Sequence, residues 1–128
     1  MGLFDNLFGR KPKRPVSDPH RAIAFVDYEH WFYSCKNQFH ITPDLTGWRQ
    51  ALEAEFAIED ILVFGDFSNR PIAETLNDVR AITNHVISTQ QGTLYHKKNM
   101  TDFIMLDSIY QTAVDRPEIG SYILFTGD

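Results

Sequence analysis

Three short apolar runs in this chain each end in an aspartate. They are Ala22 to Asp27 (A-I-A-F-V-D), Ile61 to Asp66 (I-L-V-F-G-D) and Tyr122 to Asp128 (Y-I-L-F-T-G-D). Carboxylates gathered at one point suit hard divalent cations: Mg²⁺ takes one or two of them and keeps several waters. A two-metal phosphodiester site needs more, because its ions sit about 3.5–4 Å apart and activate a water while steadying the leaving oxygen. Asp27, Asp66 and Asp128 are candidates by position. Asp102 opens a helix before the last run and can face the same edge, although an aspartate there also completes a helix cap and its dipole. Asp107 follows by five residues, which turns it well away from Asp102 on an ideal helix, so it belongs to an outer shell or to the surface. Lys98, in H-K-K-N-M-T-D, could hold a substrate phosphate as a point charge or could simply be a solvated loop lysine. His30 and His96 could transfer protons, but packed or exposed histidines are commoner.

The elements that must position these groups follow from the pattern. An apolar run without polar alternation suits a strand buried on both faces, as in a parallel sheet covered by helices. Its carboxyl end is where open α/β sheets bind ligands. After the first run, Tyr28, Trp31, Phe32 and Tyr33 predict a helix from near Glu29 with its rings mostly in the core. Thr42-Pro43-Asp44 reads as a helix start with Thr42 as N-cap and Pro43 in the first turn, and Leu45, Trp48, Leu52 and Phe56 mark its apolar face. A second strand is expected at about Ile61 to Phe64. Ser68-Asn69-Arg70-Pro71 opens a further helix with the face Ile72, Leu76, Val79, Ile82 and Val86, ended by Gln91-Gly92. Thr93-Leu94-Tyr95 is expected as a short third strand. Thr101 is expected to cap a helix carrying Phe103, Leu106, Tyr110 and Ala113, which Arg116-Pro117 breaks before the final strand. Alternation of this kind predicts an α/β fold with a mainly parallel sheet.

Composition narrows the setting. The chain of 128 residues is of one-domain size. Its single cysteine, Cys35, cannot form an internal disulfide, which points to a reducing, cytoplasmic environment. Neither a membrane span nor a secretory signal is visible. The net charge of −5 is uneven: residues 1–21 are basic overall, whereas residues 22–128 hold the acidic excess. An acidic body is a poor general phosphate binder unless its carboxylates hold cations that set the local charge. Residues 1–21 are expected to be a flexible tail. Within it, Leu3, Phe4, Leu7 and Phe8 recur at helical spacing before R-K-P-K-R, so residues 1–14 could touch an anionic membrane surface or a protein.

Four blocks, V-D-Y-E-H, V-F-G-D-F-S-N, K-N-M-T-D-F-I-M-L-D and L-F-T-G-D, occur in the order of the motifs of the NYN domain family. Residues 22–128 resemble this family of PIN-like nucleases, closest to its bacterial branch related to LabA and limkain. The resemblance implies a three-layer α/β/α sandwich with a central, mainly parallel sheet. It also implies metal-dependent ribonuclease activity with Mg²⁺ or Mn²⁺ on RNA, expected to be single-stranded. Carried over by position, Asp27 is the first-strand acid, Asp102 the acid of the K-N-x-x-D block, and Asp128 the first aspartate of S-x-D-S-D-F. These three are the expected metal ligands and catalytic residues, with Glu29, Asp66, Lys98 and Asp107 in second-shell or substrate roles. His30 stands where the family usually has Asn, and Asp107 is one residue nearer Asp102 than usual. The sequence stops at Asp128, so the domain is expected to be incomplete at its C-terminus. The alternative is a non-catalytic RNA-binding or protein-interaction module on the same fold, and a homo-oligomer is compatible with either. A phosphoacceptor receiver domain fits less well, because D-Y-E separates the paired acids and Lys98 precedes the final strand.

Overall fold

The computed structural model describes residues 17–89 and 97–126. Four strands, β1 (Asp18–Asp27), β2 (Ala57–Gly65), β3 (His85–Ser88) and β4 (Ile119–Phe125), form one sheet in the order β3-β2-β1-β4. All three strand pairs are parallel. Among the described residues, five helices connect them: α1 (Tyr28–Phe39), α2 (Leu45–Glu55), α3 (Arg70–Ala73), α4 (Leu76–Ile82) and α5 (Lys97–Asp115).

The apolar runs explain the layering. Ala24↔Ile61, Phe25↔Leu62 and Val26↔Val63 are neighbours in register, and in-register neighbours share a sheet face. Ala24, Val26, Ile61 and Val63 pack on one face against Tyr28 and Phe32 of α1, Leu45 of α2, Ile72 of α3, and Val79 and Ile82 of α4. Ile23, Phe25, Leu62 and Phe64 pack on the other face with Met105 of α5 and Ile119. Both faces are therefore covered, which is why the runs lack polar alternation. Right-handed crossovers that step from β1 to β2 to β3 lay their helices on one face, and the return from β3 past β1 to β4 lays its helix on the other. The architecture is α/β with an all-parallel sheet, and its layering is that of a three-layer sandwich.

At the amino ends of the strands, charges tie the sheet together. The register skips Glu59 between Ile58 and Asp60. Its carboxylate accepts hydrogen bonds from Arg21 Nη2 at 2.9 Å and from Arg116 Nη2 at 2.5 Å, and Arg21 Nε also donates to it. Arg116 Nε donates to Glu118 at 3.1 Å. The network joins β1, β2 and the turn into β4. Close by, a Cβ on Gly120 would lie 2.3 Å from the carbonyl carbon of Asp18, so only glycine lets β4 pass the start of β1.

Several boundaries differ from the sequence expectation. β1 begins at Asp18, so the end of the expected tail belongs to the sheet. The cap of α2 is Asp44, whose Oδ1 accepts from Gly47 N at 3.0 Å, and Thr42 lies outside the helix. The face Ile72 to Val86 is not one helix. It breaks at Glu74-Thr75, α4 ends at Ile82, and Val86 lies in β3 beside Val63. Thr101 is buried inside α5, which starts at Lys97, and so does not cap it. The side of α5 turned to the sheet carries Met105, with Ile104 and Ile109 packed beside it, whereas Phe103, Leu106 and Tyr110 are exposed. The expected strand Thr93 to Tyr95 and the turn Gln91-Gly92 lie outside the described residues.

Candidate functional site

The strand order reverses at one place: the connections step from β1 to β2 to β3 in one direction, and the connection into β4 returns past β1. β1 leads through α1 and α2 to β2 on one side, and β4 flanks β1 on the other. The crevice at the carboxyl ends of β1 and β4 is thus the topological switch point, the usual ligand site of an open α/β sheet. Asp27 is the last residue of β1 and stands at this point. Val26 pairs with Phe125, so β4 reaches the rim one residue later, at Thr126.

Asp27 is also the N-cap of α1. Its backbone is extended, and its Oδ1 accepts from His30 N at 3.3 Å. The strand-to-helix junction has no intervening loop, since α1 starts at Tyr28. That fixes the carboxylate at the positive end of a helix dipole, where negative charge is favoured. The junction is anchored from below. Tyr28 is buried and donates through Oη to Thr75 Oγ1 at 2.6 Å, and Thr75 donates on to Ile72 O at 2.8 Å. Burial is the main cause that raises the Tyr28 phenol above its ordinary 10.0. Its ring stacks on Phe67 with centroids 5.8 Å apart. Trp31, Trp48 and Phe125 form a second aromatic cluster beneath the rim, with Trp31 and Phe125 centroids 4.6 Å apart.

The loop after β2 is joined to α1 by carboxylates. Glu29 Oε1 accepts from Asp66 N at 2.6 Å. Asp66 is buried, and its Oδ1 accepts from Ser68 N at 3.0 Å and from the Ser68 hydroxyl. Glu29 and Asp66 are therefore brought together, and these bonds shape the turn after β2. Thr89, after β3, donates its amide to Gly65 O at 3.0 Å; its fully buried hydroxyl finds no hydrogen-bond partner among the described residues. Sequence reasoning passed over Thr89, because the strand that it follows, His85–Ser88, itself reads as part of a helix face.

Asp102 and Asp107 are both exposed on α5. Five residues of regular helix separate them by about 140°, and Asp107 Oδ2 accepts from Gln111 Nε2 at 3.0 Å. Lys98 lies in the first turn of α5 rather than in a loop. His96 and Asp128 lie outside the described residues. Among the described residues, no three His, Cys, Asp or Glu side chains form a metal-holding group. The donors at the rim are hard carboxylate oxygens, which is the donor type that Mg²⁺ and Mn²⁺ take.

Two clefts lined by described residues lie away from this rim. One, of about 420 Å³, opens beside the starts of β2 and β3 and holds Arg49 and the Asp60–His85 pair, whose Oδ2 and Nδ1 are 2.8 Å apart. The other, of about 370 Å³, runs between the end of α1 and α3 and is lined by Phe32, Lys36 and Pro71. Neither contains Asp27. Comparison with protein-family models, curated proteins and solved structures finds no match to this chain.

Proposed function

We propose that this chain is a metal-dependent ribonuclease on a PIN-like fold, hydrolysing single-stranded RNA with Mg²⁺ or Mn²⁺. The observation that carries this reading is the location of Asp27 at the switch point of a parallel sheet, held by a rigid strand-to-helix junction. The order of the D-Y-E, K-N-M-T-D and F-T-G-D blocks, which resembles the NYN family, supports it. Asp27, Asp102 and Asp128 would hold the ions. A bound ion of this kind supplies Lewis-acid polarisation of the phosphodiester and lowers the pKa of a water.

The chain's own residues have the following parts. Asp27 presents its carboxylate at the crevice, oriented by the cap of α1. Glu29 and Asp66 hold the loop after β2 against the start of α1, next to Asp27. Lys98 would contribute a positive charge toward substrate phosphate in a body that is acidic overall. The test is incubation of the full chain with labelled single-stranded RNA and Mn²⁺, with EDTA and Asp27→Asn as controls. Cleavage that needs the metal and is lost in Asp27→Asn is the expected result. Cleavage that is absent, or indifferent to the substitution, defeats the assignment.

A second reading, an RNA-binding or protein-interaction module without catalysis, is favoured by one observation. The carboxylates of Glu29 and Asp66 serve backbone amides and a hydroxyl. RNA binding without cleavage, unaffected by Mn²⁺, would select it.

A further inference from the structure

The longest helix carries large apolar side chains on two opposite sides. Thr101 and Met105 are buried and Ile109 packs with Met105 against the sheet. Phe103, Leu106, Tyr110 and Val114 are 62 to 70% exposed. At 100° per residue these four fall in one stripe on the outer side of α5, about 16 Å long. An ordinary surface helix is polar on its outer side, and one apolar on both sides is covered on both. Isolated exposed apolar residues are normal, but a continuous stripe marks an interaction surface.

We propose that this stripe is the interface of a homodimer in which α5 packs antiparallel against α5 of a second copy. The spacing is self-complementary, as a two-fold interface requires. With the axis near Ser108, Phe103 meets Val114 of the partner subunit and Leu106 meets Tyr110 of the partner subunit, and each contact occurs twice. Antiparallel helices also oppose their dipoles favourably. The polar flank matches in the same way. Asp107 and Gln111, hydrogen-bonded within one helix at 3.0 Å, lie on one flank of the stripe. An antiparallel pairing brings that flank against itself, so each Asp107 carboxylate faces a Gln111 amide of the other copy instead of another carboxylate.

The area is of the right order. Full aromatic side chains present ~150–250 Å², so the four residues together offer on the order of 400 Å² of apolar surface per chain. A standard interface takes ~800 Å² from each partner, a little over half of it apolar. The stripe supplies the apolar share, and the flanking polar residues supply the remainder. Leu124 is also exposed and lies on this side of the sheet, since its register partner Phe25 packs with Met105.

The experiment is sedimentation velocity on the full chain at tens of micromolar, with Leu106→Glu and Tyr110→Glu compared by circular dichroism for retention of fold. Both side chains point away from the core, so the variants should fold. The expected result is a wild-type dimer whose dissociation constant rises roughly a hundredfold or more in each variant, as for a buried interface hot spot given an unpaired charge. A Leu106→Cys/Tyr110→Cys double variant in a Cys35→Ser background should form an intermolecular disulfide on oxidation. A monomeric wild type overturns the proposal, as does a dimer indifferent to both glutamates. A monomer that instead sediments with anionic vesicles through this stripe overturns it as well.

Discussion

Replacing Asp27 separates two roles that its position combines. As N-cap of α1 it accepts the His30 amide at 3.3 Å. Removing such a cap costs about 1 kcal/mol. A chain of 128 residues unfolds with an entropy of about 0.27 kcal/mol/K, at ~2.1 cal/mol/K per residue. Asp27→Ala should therefore lower Tm by about 4 °C. Asp27→Asn keeps an accepting oxygen and loses the favourable charge at the helix start, a few tenths of a kcal/mol, so its Tm should fall by about 1–2 °C. Catalysis should rank the two variants differently. Both remove an anionic ligand, and since disturbing even the residues behind a metal ligand costs ~10–100-fold, both should lose at least ~100-fold in Mn²⁺-dependent cleavage. The assays are thermal unfolding followed at 222 nm and initial cleavage rates on a labelled single-stranded RNA. If Asp27→Asn cleaves like wild type while Asp27→Ala is merely less stable, the carboxylate is a cap and nothing more. A loss of cleavage that tracks Tm across the two variants would refute the metal role in the same way.

Two further outcomes test the support of this rim and of the opposite end. Tyr28→Phe removes the Tyr28–Thr75 hydrogen bond at 2.6 Å inside the core, and equilibrium urea unfolding should show a loss of about 1 kcal/mol. The amino-end charge network sets an acid limit. The Glu59 carboxyl is held below its ordinary 4.5, first by its hydrogen bond from Arg21, and that of Glu118 is lowered first by its own backbone amide and then by Arg116. A depressed folded value means that their stabilisation is fully present above pH 4.5 and is lost as pH falls from there through the folded values. The stability difference between wild type and Glu59→Gln should thus be constant near neutrality and shrink below pH 4.5, as read from urea midpoints at a series of pH values.

How much of this was legible depends on which force decided each element. The buried strands declare themselves, because Ala22 to Val26 and Ile61 to Phe64 must hide both faces and therefore cannot alternate with polar residues. Their terminal acids were legible for the same reason. β3 was not. His85-Val86-Ile87-Ser88 is short and only half-buried at the sheet edge, and Val86 also fits the helical period of Val79 and Ile82. Thr83 decides the matter in three dimensions: its hydroxyl donates to Ile61 O at 2.6 Å, which ends α4 against β2 and turns the chain into a strand. That partner is 22 residues away and invisible to a local pattern. The α2 cap failed for a smaller reason. Thr42 and Asp44 are both good caps, and only the backbone shows that Asp44 reaches Gly47 N.

Helix α5 shows where periodicity runs out in principle. Its sequence contains two apolar faces at helical spacing, Met105 with Ile109 and Phe103 with Leu106, Tyr110 and Val114. A hydrophobic pattern says that a face is hidden from water, not from what. The sheet takes one face because β3 must return past β2 and β1 to reach β4, and the crossover lays the helix on Ile23, Phe25, Leu62 and Phe64. The same return places β4 beside β1 and so creates the switch point at Asp27. The two features are therefore linked. The connection that sets β4 beside the acid-tipped β1 also turns the second apolar face of α5 outward. This geometry allows the crevice and the outer stripe to be tested separately, because Leu106 and Tyr110 point away from the sheet whose carboxyl end carries Asp27. A substitution in the stripe should change the assembly without moving the Asp27 cap, and a substitution at Asp27 should leave the assembly unchanged.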